Sequence, residues 1–321
     1  MEAGAQQAGT GETKSESGDG WENPLIPNER LRQIYLAMAQ ARALEKALPA
    51  AKRGRAIKPR TKITGTRGLE ACLVSATVDL GPGDLVSDAL AGGVVEYLRG
   101  MAMSEVLHSK EAEGTGKRRA GVSGTSFVCG SAGRLPSAID ATERIWVALG
   151  AAAALKAAAA KARTEAKAKT KHDTVTREAG VVVVYALPGE VTDSLWKKVL
   201  KFTAKHELPM MFVVLPRRGV KVKADGVSAL ALGCRVPAIL VDADDAVAIY
   251  RVAQESIGHA RIGGGAALIE CVPFAVSGAM SNIKVTQDAI AGLERYMVQR
   301  GVATRPWMER EAKAFAKRVA G

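Results

Sequence analysis

The residues best placed to do chemistry lie where a β-branched run meets a helix. Val181-Val182-Val183-Val184-Tyr185-Ala186 has the composition of a buried parallel strand. Leu187-Pro188-Gly189 breaks it, and Thr192 or Asp193 can cap a helix from Ser194 to His206 that carries Leu195, Val199, Leu200 and Phe202 on one face. Leu208-Pro209 ends that helix, and Met210 to Leu215 forms the next strand. In such a unit the turn after the first strand meets a helix N-terminus, where free backbone N–H groups can hold a diphosphate. A diphosphate carrying Mg²⁺ also needs hard oxygen ligands, usually a carboxylate at that turn. Pro188 offers no such side chain and removes a backbone N–H as well.

Other reactive residue types are scattered. The histidines, His108, His172, His206 and His259, each stand alone on a predicted helix or in a polar loop, where surface placement is expected. His206, near a helix end, suits the helix dipole. Cys72, Cys129, Cys234 and Cys271 form no close pair, as expected of reduced cysteines in a cytoplasmic protein. Gly263-Gly264-Gly265 lies between a helix and a strand, the reverse of the order a phosphate cradle needs, and is expected to be a turn. Asp242, Asp244 and Asp245 lack the remainder of a calcium loop and are expected to serve as turn and cap residues. No Ser-His-Asp, Cys-His or HExxH arrangement can be assembled, so no catalytic or metal-binding residue is expected.

The elements that must position these residues alternate. Helices are expected at about Glu29–Leu48 with Asn28 as cap, Gly68–Asp79, Val94–Leu107, Ile139–Lys171 and Ala246–Ala260. Strands are expected at Leu85–Ser87, Ala238–Val241 and Ala267–Val272, besides the two already named. Alternation of this kind implies βαβ crossovers: an α/β fold with a parallel sheet and helices on both faces. Residues 1–23 are polar and expected to be a disordered tail, with 24–321 one α/β domain. That domain has a basic loop at 51–67, and an Ala/Lys-rich segment at 151–171 that is either a rigid helix or a flexible insertion.

At 321 residues, 47% of them hydrophobic, the chain can bury a sizeable core. No run of consecutive apolar residues approaches the roughly 18 of a membrane span. The net charge is +12, with clusters at Lys52–Arg67, Lys110–Arg119 and Lys156–Lys171. Aromatics are only 4% of the chain and no nucleic-acid-binding motif accompanies the clusters, so they are expected to be solvated loops and faces, with an acidic protein partner the next reading and nucleic acid the last.

Several segments together resemble the alpha subunit of the thiamine-diphosphate-dependent 2-oxo-acid dehydrogenase decarboxylating component, the pyruvate dehydrogenase type. Leu31-Arg32-Gln33-Ile34-Tyr35 and Ala43-Leu44-Glu45-Lys46-Ala47-Leu48 are similar to its opening helix. Gly68-Leu69-Glu70-Ala71 followed by Leu80-Gly81-Pro82-Gly83-Asp84-Leu85-Val86 resembles its "GQEA … L.P.D.V" segment. Val236 to Val247 resembles its "G-I-P … V-D-G-N-D" strand and turn, and Ala260-Arg261 with Ala267-Leu268-Ile269-Glu270 its "A-R … P-x-L-I-E".

The resemblance implies a thiamine-diphosphate-binding α/β fold, an assembly with a beta subunit, and a metal site made of "G-D-G" at a strand end with a later Asn. Aligned on Leu208-Pro209, Leu187-Pro188-Gly189 falls on "G-D-G", so the metal-binding Asp becomes Pro188. The Asn becomes Pro216 or Arg217, and an arginine there would repel a cation. Glu190, Thr192 and Asp193 are the nearby replacement donors, but shifting the alignment to recruit them misplaces the helix. Histidines of the family's two loops are also missing from Asp88-Ala89-Leu90-Ala91-Gly92-Gly93 and Ser277-Gly278-Ala279-Met280-Ser281. The expectation is a pseudoenzyme with no cofactor, serving as a structural or regulatory partner of a beta-type subunit or of its own copies. One alternative is an active 2-oxo-acid or acetoin oxidoreductase subunit, with thiamine diphosphate and Mg²⁺, working with a beta subunit. The other is a binder of an anionic ligand or of nucleic acid.

Overall fold

The computed structural model describes residues 25–47, 66–88, 94–103, 105–106, 133–135, 140–169, 179–216, 226–273 and 288–320. The expected tail, most of the loop at 51–67, the cluster at 110–119, Arg217 and the Ser277–Ser281 segment lie outside these residues. Five strands are described: β1 (Leu85–Ser87), β2 (Val182–Ala186), β3 (Met210–Val214), β4 (Ala238–Asp242) and β5 (Ala267–Val272). They form one sheet in the order β1-β2-β3-β5-β4, and every neighbouring pair is parallel.

Period-two alternation divides the strands between two cores. Val181, Val183, Tyr185, Met211 and Val213 face one side, while Val182, Val184, Met210, Phe212 and Val214 face the other. Because both faces are covered, β2 and β3 are buried at every position, which explains their unbroken apolar sequence. Each such side chain contributes about 1.5–3 kcal/mol when fully buried.

The first core is covered by α1 (Asn28–Ala47), α2 (Glu70–Ser75), α3 (Val94–Leu98), α7 (Ala246–Arg261) and α8 (Ala289–Gln299), with Met308 from α9 (Arg305–Ala320). The second is covered by α4 (Ala141–Lys169), α5 (Asp193–His206) and α6 (Val227–Gly233). The expected α/β architecture with helices on both faces is therefore observed. Short α6 and the two C-terminal helices lie outside the elements expected from sequence, although Asp288 caps α8. Asn28 is the first residue of α1 rather than its cap, α2 is shorter than expected, and α3 stops at Leu98 before Gly100 with φ 92°.

α4 runs unbroken for 29 residues, so the Ala/Lys-rich segment is helical to Lys169. Its stretch Ala141–Glu165 is long and apolar enough, by composition, to cross a membrane, which counting consecutive apolar residues did not reveal. In the fold its first half packs on the sheet through Ile145, Ala148, Leu149 and Ala152. The face of α5 also differs from expectation. Trp196, Val199, Leu200 and Thr203 are buried, while Phe202 is 41% exposed. At 100° per residue, Phe202 lies roughly 110° round from the centre of the buried stripe.

Candidate functional site

The candidate site sits at the C-terminal end of β2, where the chain turns into α5. Glu190 N–H donates to Leu187 O at 3.1 Å, closing a four-residue turn. Pro188 takes its second position and Gly189, with φ 77°, its third. That is the chemistry of a type II turn: proline pre-sets φ at the second position and glycine supplies positive φ at the third. The Pro-Gly pair therefore serves the backbone.

Glu190 is held inside this turn. Its Oε2 accepts from Leu187 N–H at 2.9 Å and its Oε1 from Arg144 Nη2 at 2.8 Å. Arg144, on α4, also donates from Nη1 to Tyr185 O at 2.7 Å. The Arg144 side chain is 2% exposed and that of Glu190 12%. One buried guanidinium thus ties the end of β2 to the turn and neutralises its carboxylate. A buried pair of this kind is tolerated because each charge has its partner and its hydrogen bonds.

The other replacement donors are placed differently. Thr192 is the N-cap of α5, its Oγ1 accepting from Leu195 N–H at 3.3 Å. Asp193, the first helical residue, is exposed, a position that suits the positive end of the helix dipole. Pro216 follows β3 and is buried. Leu187, Pro188, Gly189, Glu190, Thr192 and Asp193 are therefore gathered in one turn, with Pro216 after the adjacent strand. Of the three donors proposed from sequence, Glu190 is already held by Arg144 and Leu187 N–H, and Thr192 caps a helix, leaving Asp193 at the solvent edge. The donor set does not fit a Mg²⁺ ion, which demands near-octahedral hard oxygen ligands. Among the described residues, no three His, Cys, Asp or Glu side chains come together to hold a metal.

Arg144 was missed in the sequence. The signal that could have found it is a lone cation on the apolar stripe Ala141, Arg144, Ile145, Ala148, Leu149, Ala152, all of which are buried. An arginine at i+3 of such a stripe implies a buried acceptor.

The remaining residue types have structural roles. Asp245 caps α7 by accepting from Val247 and Ala248 N–H, and Asp242 Oδ1 accepts from Asp244 N–H at 3.1 Å. Gly263 and Gly265 have φ of 94° and 92° in a turn. His206 and His259 are exposed. Cys72, Cys234 and Cys271 are buried free thiols, and that of Cys72 is pushed up by the adjacent Cys271 thiol and by complete burial. Glu70, from the "GQEA" match, is fully buried and accepts from Arg42 Nε and Gly68 N–H. Asp84, from the "L.P.D.V" match, accepts from Val181 N–H at 2.8 Å and Arg261 Nη2 at 2.7 Å. A cleft of about 500 Å³ lies at the opposite, N-terminal edge of the sheet, lined by Arg30, Asp79, Tyr250, Gln254 and Arg261. Arg30 is paired with Asp79 and Arg261 with Asp84, so the cleft adds no free charge to the candidate site.

The profile of the dehydrogenase E1 component family matches residues 38–321. The chain belongs to the dehydrogenase E1 component family, alpha type. It is similar to the alpha subunit of acetoin:2,6-dichlorophenolindophenol oxidoreductase from Bacillus subtilis, 31% identical over 88 residues, covering 23% of this chain and 26% of that protein. It is also similar to the subunit of the same name from Cupriavidus necator, 27% identical over 145 residues, covering 39% of this chain and 44% of that protein. The chain thus matches less than half the length of these curated relatives. The family depends on thiamine diphosphate. In this E1 alpha-type chain, the turn expected to carry the metal ligand is the Pro188-Gly189 turn sealed by Arg144 and Glu190.

Proposed function

We propose that this protein is an E1 alpha-type subunit that no longer binds thiamine diphosphate with Mg²⁺, and serves as a structural or regulatory partner in the cytoplasm. Its partner in this reading is a beta-type subunit, since both relatives are named alpha subunits, or a second copy of the chain. The observation that carries the reading is the engagement of Glu190 within its own turn. Its two carboxylate oxygens are occupied by Arg144 and by Leu187 N–H, while the residue aligned with the metal-binding Asp is Pro188. Loss of the metal site leaves the fold intact, because β2, β3 and their two cores do not depend on it.

Co-expression with a beta-type subunit, followed by gel filtration in buffer free of thiamine diphosphate and Mg²⁺, tests the partner role. The expected result is a stable complex whose elution does not change when both are added. A complex that forms only with cofactor and metal present would contradict the reading.

A further inference from the structure

We infer that the outer face of α5 is a docking surface for an acidic protein segment. Lys197, Lys198, Lys201 and Lys205 are all exposed on one side of this helix. They occupy an arc of roughly 100° and run about 12 Å along the axis. The opposite side, Trp196, Val199, Leu200 and Thr203, is buried in the sheet core, so the lysines are presented outward from a fixed base.

Two contacts fix α5 to its neighbours. Cys234 Sγ lies 3.9 Å from Lys197 O. At the end of the helix, Lys156 Nζ of α4 donates to His206 O at 2.7 Å. None of the four α5 lysines makes an ion pair with another described residue. The acids nearest in sequence, Asp193 and Glu207, lie at the two ends of the helix, and Glu207 is already paired with Lys156. The middle of the face therefore carries positive charge that no other described residue compensates.

The chemistry of the face selects its partner. Lysines predominate over arginine, whose planar fork suits bidentate contact with phosphates. One aromatic ring, Phe202, borders the stripe at 41% exposure, its centroid 4.4 Å from that of the His206 ring at a tilt of 46°. A single ring of this kind falls short of the successive stacking platforms that single-stranded nucleic acid uses. The apolar side of α5 is spent on the core, so the helix cannot lie in a membrane surface by burying it. A segment rich in Glu and Asp with an apolar residue beside them matches both the charge and Phe202.

The test uses the full chain and a fluorescein-labelled acidic peptide of alternating Glu pairs and Leu, read by fluorescence anisotropy at low and raised salt. A labelled DNA duplex and vesicles containing phosphatidylserine are measured in parallel. The expected result is salt-sensitive binding of the peptide that weakens about tenfold or more in the Lys197→Glu/Lys201→Glu/Lys205→Glu variant. A control variant with exposed lysines of α9 reversed, Lys313→Glu/Lys317→Glu, retains the parent affinity, and circular dichroism reports that both variants are folded. Absence of peptide binding by the parent overturns the inference. So does an equal loss in the control, or tighter binding of duplex or vesicle than of peptide.

Discussion

The Arg144 guanidinium lies 2.8 Å from Glu190 Oε1, on the turn between β2 and α5. The side chains come from α4 and from the turn before α5, and both are almost completely withdrawn from water. Removing one partner leaves the other as a buried, uncompensated charge. Arg144→Met is therefore expected to cost about 3–5 kcal/mol in urea unfolding. The double variant Arg144→Met/Glu190→Gln recovers most of that loss, since Gln still accepts from Leu187 N–H. A double variant as unstable as the single one would show that the ion pair is not what holds the turn.

On the alignment expected from sequence, Pro188 and Pro216 are the positions where oxygen ligands can be introduced. Pro188→Asp alone is expected to leave Mg²⁺-dependent binding of thiamine diphosphate undetectable, because the position after β3 is still Pro216. Adding Pro216→Asn supplies the second ligand, and titration calorimetry is expected to show binding only in this double variant. Binding by Pro188→Asp alone would mean that a single carboxylate had been the whole deficit.

Acid sensitivity has a definite source in Asp288. Hydrogen bonds from Arg42 at 2.8 and 2.9 Å hold its carboxyl below the usual carboxylate range. A depressed folded pKa gives stability that is present above the unfolded value of about 3.9 and lost as pH falls through the lower folded one. The melting temperature of Asp288→Asn should lie below the parent's near neutral pH, and the two should converge as pH falls below the depressed folded pKa. A gap that persists in acid would assign the effect to helix capping alone, since Asp288 also accepts from Ile290 N–H.

Close approach of two backbones fixes a third sensitivity. A Cβ on Gly180 would lie 2.4 Å from Gly83 O, where the turn before β1 crosses the start of β2. Gly180→Ala is expected to destabilise by about 1–3 kcal/mol, because the obstructing atom is backbone and cannot rotate away. Unchanged chemical denaturation would show that this crossing is loose.

Features written locally were legible in the sequence. β2 and β3 are continuous apolar runs, β5 is interrupted only by Glu270, and α7 begins at an Asp cap, so their positions match to within a residue or so. What escaped were relations between distant segments. Arg144 and Glu190 are 46 positions apart, and only folding shows that Glu190 is occupied. Phe202 was placed on the wrong face because an apolar residue near the stripe was counted by type, whereas Trp196 sets the true phase. The basic face of α5 was overlooked for a similar reason. Its lysines are spaced through the helix, while composition draws the eye to contiguous clusters such as Lys156–Lys171.

The most direct test of the central claim is isothermal titration of the folded full chain with thiamine diphosphate and Mg²⁺, alone and in complex with a beta-type subunit. No binding heat in either sample is the expected result, since Pro188 contributes no ligand and both Glu190 oxygens are engaged. Micromolar binding that depends on Mg²⁺ would contradict it and return the chain to the cofactor-binding members of its family.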